Sequence, residues 1–327
     1  MTTQTTEQAS TQSRGAGIVG YLRSHATDLV LPVALLALII FGITMFPSFR
    51  SPATFINIVM FSSVLLIVAV GETFVVIGRG ADLSVGSMVG LSGAVLAVLI
   101  MEGWPPLLAA LGALLLGAAI GVAHGLLVTK LKISFLIVTL GTFAILRSQA
   151  QVLLQGQSRS VDIPLLDTLA NGRIGPIPNL VIVAVVVYLV ATVVLRRTGF
   201  GRSLYAVGSS PEAARLAGIP ASRVIIIAFV ISAVLAAFAG LLTVGSLGSA
   251  QMTAGSGLEL AALSAVLLGG TRFSGGFGSA TRTLIGVLFL GVVNSVLLAA
   301  GISSFWQGTA SGLVLIAAVA LDRTRKD

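Results

Sequence analysis

The chain contains no cysteine, so disulfides, thiolate nucleophiles and cysteine-based metal sites are excluded. It has two histidines, His25 and His124, too far apart in sequence to suggest a histidine-based metal centre. Charge is also scarce: 9% of the 327 residues are Asp, Glu, Lys or Arg, against about a quarter in a soluble domain. No long polar stretch is left over for a catalytic domain. The glycines at 269, 270, 275, 276 and 278 lack the Gly-Lys-Ser/Thr ending and the preceding strand of a phosphate loop. They read instead as a tight turn between packed helices, with Arg272 and Arg282 beside it. The sequence offers no catalytic constellation, no cofactor site and no metal site.

Apolar residues, by contrast, are abundant. They make up 56% of the chain, and the mean hydropathy is +1.06. Water could not solvate a surface with so few charges, so the apolar material must face lipid. A spanning helix needs about 20 mostly apolar residues. Ten segments qualify: 29–46, 55–77, 84–101, 107–128, 133–154, 179–195, 223–246, 258–270, 280–299 and 303–321. The eighth is short and fits a re-entrant or tilted half-helix. The runs lack period-2 alternation and are too long for barrel strands. The expected fold is an all-α polytopic membrane bundle of about ten helices. Residues 1–28 would be a cytoplasmic tail, 29–321 the membrane domain and 322–327 a short cytoplasmic end. Met1–Ser13 is rich in Thr, Gln and Ser and does not read as a cleavable signal.

Basic residues orient the bundle. With both termini cytoplasmic, fifteen of the nineteen Lys and Arg residues fall inside, from Arg14 to Lys326. Only Arg50, Arg159 and Arg173 fall outside, and Arg147 lies within the fifth span. The net charge of +8 therefore reads as orientation in the membrane rather than as a nucleic-acid surface. The 38 glycines, among them Gly112, Gly117, Gly121, Gly286 and Gly291, suit helices that approach closely in lipid.

The longest cytoplasmic loop, 196–223, holds SSPEAARLAGIP at 209–220. Ser209 or Ser210 can cap a helix whose first turn contains Pro211 and Glu212. Gly218 and Pro220 then stop it after about two turns. The spacing of Glu212, Ala213, Ala214 and Gly218 resembles the EAA loop of ABC-importer permeases, a coupling helix that docks on the ATPase subunit. The resemblance implies contacts through Ser210, Glu212, Ala213, Ala214, Arg215 and Gly218. The downstream Ile-x-Leu-Pro of the fuller motif is missing, which points away from the maltose-type branch. Four further segments, VGETFVVIGRGADLSVGS at 70–87, FLIVTLGTFAILRSQA at 135–150, LLGGTRFSGGFGSA at 267–280 and the ending from Ser303, resemble the ribose-type sugar permeases of bacterial ABC importers. Arg79 departs from the commoner Gly-Gly-Ile-Asp pattern.

Ionisable groups inside spans usually face a cavity or a partner. Glu72, Asp82, Ser84, Arg147, Gln151 and Asn294 are candidates for the solute pathway, with Phe74 and Phe143 as aromatic surfaces. The alternative for each is interhelical bonding or packing. A Glu72–Arg147 ion pair and an Asp82–Arg79 pair are both conceivable, and Asp82 or Ser84 could cap the third span. Glu259 sits near the start of the eighth.

The resemblance implies the permease subunit of a sugar importer in the bacterial cytoplasmic membrane. It would work with a second permease subunit, ABC ATPase subunits and an extracytoplasmic solute-binding protein, surrounded by membrane lipid and without nucleic acid. The rival reading is an ion-gradient-driven secondary transporter using Glu72 and Glu259 as proton sites. An intramembrane enzyme is disfavoured because Cys, paired His and an acid pair are lacking. The identity of the solute is not written in the sequence.

Overall fold

The computed structural model of the chain describes residues 30–303 and 306–324. The expected N-terminal tail, and 325–327 of the expected C-terminal one, lie outside them. The helices follow in order: α1 (Val30–Met45), α2 (Pro52–Ile77), α3 (Val85–Met101), α4 (Pro106–Thr129), α5 (Phe135–Leu153), α6 (Pro164–Asn171) and α7 (Asn179–Arg197). After them come α8 (Gly199–Ser209), α9 (Pro211–Leu216), α10 (Ala221–Leu247), α11 (Leu258–Leu268), α12 (Ala280–Ala299) and α13 (Trp306–Thr324). Extended structure among the described residues is limited to two-residue pieces: β1 (Arg159–Ser160) pairs antiparallel with β4 (Ser249–Ala250), and β2 (Arg173–Ile174) with β3 (Ile177–Pro178).

Each expected span coincides with one helix. Six of them (α2, α4, α5, α7, α10 and α12) are long and apolar enough to cross a membrane. At about 1.5 Å rise per residue, the 11 residues of α11 cover roughly half of a 30 Å hydrocarbon core. This is the half-helix expected at 258–270. Two short helices, α6 and α8, fill what the sequence left as loops, while α9 is the short helix expected near 210–218.

At the centre of the bundle α10 packs along α4, α2 and α3, while α12 and α11 close on α2 and α13 on α11. Small residues allow the central contact. A methyl group on Gly121 of α4 would lie 2.6 Å from the Cα of Val230 on α10, and one on Gly117 would lie 2.9 Å from the Cβ of Ala237. A methyl group on Gly286 of α12 would collide with the Ala265 carbonyl on α11. Van der Waals contact at this range is a main source of helix association in lipid. Peripheral helices present leucine and valine outward instead, including Leu111 and Leu115 on α4 and Val185, Val186 and Leu189 on α7. α1 is held by a small apolar cluster of Phe49, Ile58 and Val292.

Candidate functional site

One end of the bundle carries α8 and α9. α9 is built as its sequence suggests: the Ser210 hydroxyl accepts from the Ala213 N–H at 3.3 Å, and Pro211 and Glu212 fill the first turn. Its exit is a two-bond cap in which the Gly218 N–H donates to the Arg215 carbonyl and the Ile219 N–H to the Ala214 carbonyl at 2.9 Å. Gly218 adopts φ +78°, a conformation that suits glycine. Ala214 is buried, whereas Glu212, Ala213, Arg215 and Gly218 are exposed, and Leu216 is 85% exposed. The helix is thus anchored along one edge and presents the others outward.

Beneath it, α8 fixes the end of α2. The Phe200 ring stacks on Phe74 at 6.3 Å, and Leu204 and Val207 are buried. Phe74 is therefore a core residue between α2 and α8, not an aromatic surface on a solute route. The glycine-rich turn 269–279 closes the same region. Gly276 donates from its N–H to the Ile77 carbonyl at 2.9 Å, Arg79 Nε to the Ser274 carbonyl at 2.7 Å, and the Tyr205 hydroxyl to the Gly278 carbonyl at 2.8 Å. Burial raises the Tyr205 phenol above its usual pKa, an effect tempered by Arg196 and Arg282. Arg272 and Arg282 both lie over the Phe277 ring, at 4.7 and 4.6 Å.

Between α2 and α3 the chain makes a buried turn, 78–84. Glu72, 1% exposed, accepts the Asp82 N–H on both carboxylate oxygens at 3.0 and 3.2 Å. Asp82 Oδ1 in turn accepts from the Ser84 N–H at 3.0 Å and the Ser84 hydroxyl at 2.6 Å. This side chain organises the entry to α3, while the Ser84 side chain caps nothing. Asp82 Oδ2 faces Ser232 Oγ of α10 at 3.5 Å and His124 Nδ1 of α4 at 3.7 Å. Thr139 of α5 reaches the Ala81 carbonyl at 3.4 Å. Four helices therefore meet around a single turn. Arg79 reaches Ser274 rather than Asp82, so the expected Asp82–Arg79 pair is absent. Its reach is fixed by a left-handed backbone, φ 70°.

The second break lies between α10 and α11. Residues 248–257 run as irregular chain towards the N-termini of α3 and α11. Arg147 of α5 donates from Nη1 to the carbonyls of Met252 at 3.2 Å and Ala254 at 3.0 Å, with its guanidinium 5.8 Å from the Phe143 ring centre. Gly86 and Gly90 of α3 leave room for this segment: a methyl on Gly90 would sit 2.9 Å from the Ala254 carbonyl oxygen, and one on Gly86 would collide with Glu259 Oε2 and the Gly255 carbonyl. Glu259 Oε1 accepts the Gly257 N–H at 3.2 Å, while buried Oε2 has no hydrogen-bond partner. The Glu72–Arg147 pair considered from sequence does not form, because each group is committed to backbone on a different break. Thr253 and Ser256 are exposed on this segment, Ser148 and Gln151 are exposed on α5, and Asn294 is half-buried on α12. Where α10 ends, at the opposite end of the bundle from α9, a cleft of about 410 Å³ opens between Asp162, Asp167 and Gly248.

His124, Ser232 and the Gly86/Gly90 face escaped the sequence reading. A signal existed for the first: His124 falls on the same α4 stripe as Gly117, Gly121 and Gly125, which marks it as inward-facing.

A short exposed helix at one end and two interior breaks held by side chains belong to a chain whose sequence matches known proteins. The family described as branched-chain amino acid transport system / permease component matches residues 54–319. The chain belongs to this permease family. Among its relatives, the ribose import permease protein RbsC of Escherichia coli strain K12 is 38% identical, over 90% of this chain and 93% of its own length. The probable ABC transporter permease protein y4mJ of Sinorhizobium fredii is 38% identical over 94% and 92%. The fructose import permease protein FrcC of Rhizobium meliloti is 35% identical over 93% and 87%. No solved structure matches. The resemblance to ribose-type ABC-importer permeases thus holds over most of the chain, and family and apolar helices together make it a multi-pass inner-membrane protein.

Proposed function

We propose that this permease carries a sugar or sugar-like solute across the cytoplasmic membrane by alternating access driven by separate ATPase subunits. The observation that carries the reading is α9, a six-residue helix locked to the body by Ala214 while Glu212, Arg215 and the 85%-exposed Leu216 point outward. An unpaired leucine flanked by charges suits a partner cleft. The ATPase would engage Ser210, Glu212, Ala213, Arg215 and Gly218 on this helix, with Ala214 as the inner anchor. The relatives named for ribose and fructose support the solute class. A second permease subunit and a solute-binding protein complete the assembly, the latter docking at the end that carries the 410 Å³ cleft. In this reading ten segments cross the bilayer, the eighth as the non-helical chain 248–257 continued by the half-helix α11, and both termini are cytoplasmic, in keeping with the distribution of Lys and Arg.

The solute route runs past the 248–257 segment. Backbone outside helices is tolerated at membrane depth only beside protein or water. Exposed Thr253 and Ser256, with Ser148 and Gln151 on α5, make that surface unsuited to lipid. Arg147 and Phe143 belong to this wall. Glu72, Asp82 and Ser84 instead form the joint behind it.

The test is labelled-sugar uptake into proteoliposomes holding the permease, its ATPase and its binding protein. Uptake that requires ATP and is abolished when 212–218 is replaced by a glycine-serine linker supports the reading. Uptake that continues without ATPase, driven by an ion gradient, overturns it in favour of a secondary transporter.

A further inference from the structure

His124 is a buried titratable residue that no part of the proposed cycle uses. It is 1% exposed, and neither ring nitrogen has a hydrogen-bond partner. A buried imidazole in this condition forgoes bonds that its surroundings could supply. Asp82 Oδ2 lies 3.7 Å from Nδ1. A charge-assisted bond would bring the two atoms to about 2.8 Å, so a shift of roughly 1 Å separates the present geometry from a closed one.

A cavity lies near this contact, on the side of α9. Mainly apolar and about 110 Å³ in volume, it is lined by Pro211, the first residue of α9, by Gly80 of the α2–α3 turn and by Phe229 of α10. The Phe229 ring stands edge-on to His124 with centres 5.8 Å apart. Pushing α9 inward would therefore close on Phe229, which packs against His124, and on Gly80, two residues before Asp82 in the same turn. Asp82 is in turn bound through its N–H to Glu72, near the end of α2, and through its carboxylate to Ser84 at the head of α3. Across that cavity, these contacts lead from α9 to the turn between two central spans.

We infer that His124 and Asp82 form a joint, open in this structure and closed in another transport state, through which displacement of α9 reaches the α2–α3 turn. Both are positioning residues; neither is proposed to touch solute. Forming and breaking this bond gives the hinge two discrete arrangements, which a coupled movement requires. The inference rests on the reading of α9 as the ATPase contact.

The experiment measures solute imported per ATP hydrolysed in the reconstituted importer. The wild-type complex, with and without its ATPase, tests the underlying reading by itself. His124→Ala is expected to lower the ratio about tenfold, within the range of coupling between sites, while ATP hydrolysis continues. His124→Asn, whose amide nitrogen occupies the Nδ1 position, is expected to stay within about threefold of wild type, whereas His124→Gln, whose amide sits further out, is expected to fall with alanine. The Asn and Gln variants both keep a buried amide, so their comparison holds even if the alanine variant does not fold. An unchanged ratio in His124→Ala, or equal ratios for Asn and Gln, would overturn the inference while leaving an ATP-dependent wild type untouched. Parallel loss of uptake, hydrolysis and folded protein in all three would also overturn it, since it would leave His124 a packing role only.

Discussion

The chain leaves helical geometry twice inside its bundle, at 78–84 and at 248–257, and the two breaks are handled in opposite ways. The first is sealed: Gly80, Ala81, Asp82 and Ser84 are buried, and two carboxylates supply the acceptors that helix hydrogen bonds no longer provide. The second is pinned from one side by a single arginine on two carbonyls and leaves Thr253, Ser256 and Gly257 exposed. Free peptide groups in a membrane protein need either protein or water. The sealed break fits the hinge inferred above, and the open one fits the wall of the proposed route.

The sharpest way to break this comparison exploits the absence of cysteine, since any introduced thiol is the only one present. Thr253→Cys is expected to react with a water-soluble thiol reagent at least about a hundredfold faster than Ala81→Cys, because only the former position is open to solvent in the native state. Similar rates would remove the distinction. Next in size, Glu72→Ala leaves the Asp82 N–H without its acceptor inside the protein. A loss of about 2 kcal/mol is expected, read as a lowered thermal unfolding midpoint in detergent, with Glu72→Gln losing less because its amide oxygen still accepts. Arg147→Ala should do the reverse of Glu72→Ala: sugar uptake falls about tenfold while the unfolding midpoint moves little, since the freed carbonyls can turn to water. A large drop in stability there would show that the second break is sealed like the first. The smallest effect is reserved for a site outside both breaks. Ser210→Ala removes the α9 cap and is expected to cost about 1 kcal/mol locally, detected as faster amide exchange over 211–217 with no change at 78–84.

Much of this was legible from sequence. The apolar runs placed the six long apolar helices to within a few residues, because length and lipid exposure leave little freedom. α9 was legible because its caps are local: Ser210, Pro211 and Gly218 act within their own turn. α8 was not, as Gly199 and Gly201 open it and its burial against Phe74 and Gly276 is long-range. The pairing of Glu72 was misjudged for the same reason. Opposite charge suggested Arg147, but the carboxylate turns to a peptide N–H ten residues away in sequence. Phe74 looked available to a sugar and is taken by Phe200.

Composition, hydropathy and the local caps around α9 were enough to mark the chain as a membrane bundle and to bound its short exposed helix, since each of these depends on neighbouring residues and on solvent. Which carboxylate holds which turn, that Arg147 grips the carbonyls of 252 and 254, and that His124 faces Asp82 were decided only when α2, α4, α5 and α10 packed together. Contacts between residues a hundred positions apart follow from the close approach of helix backbones, which glycine permits but does not specify.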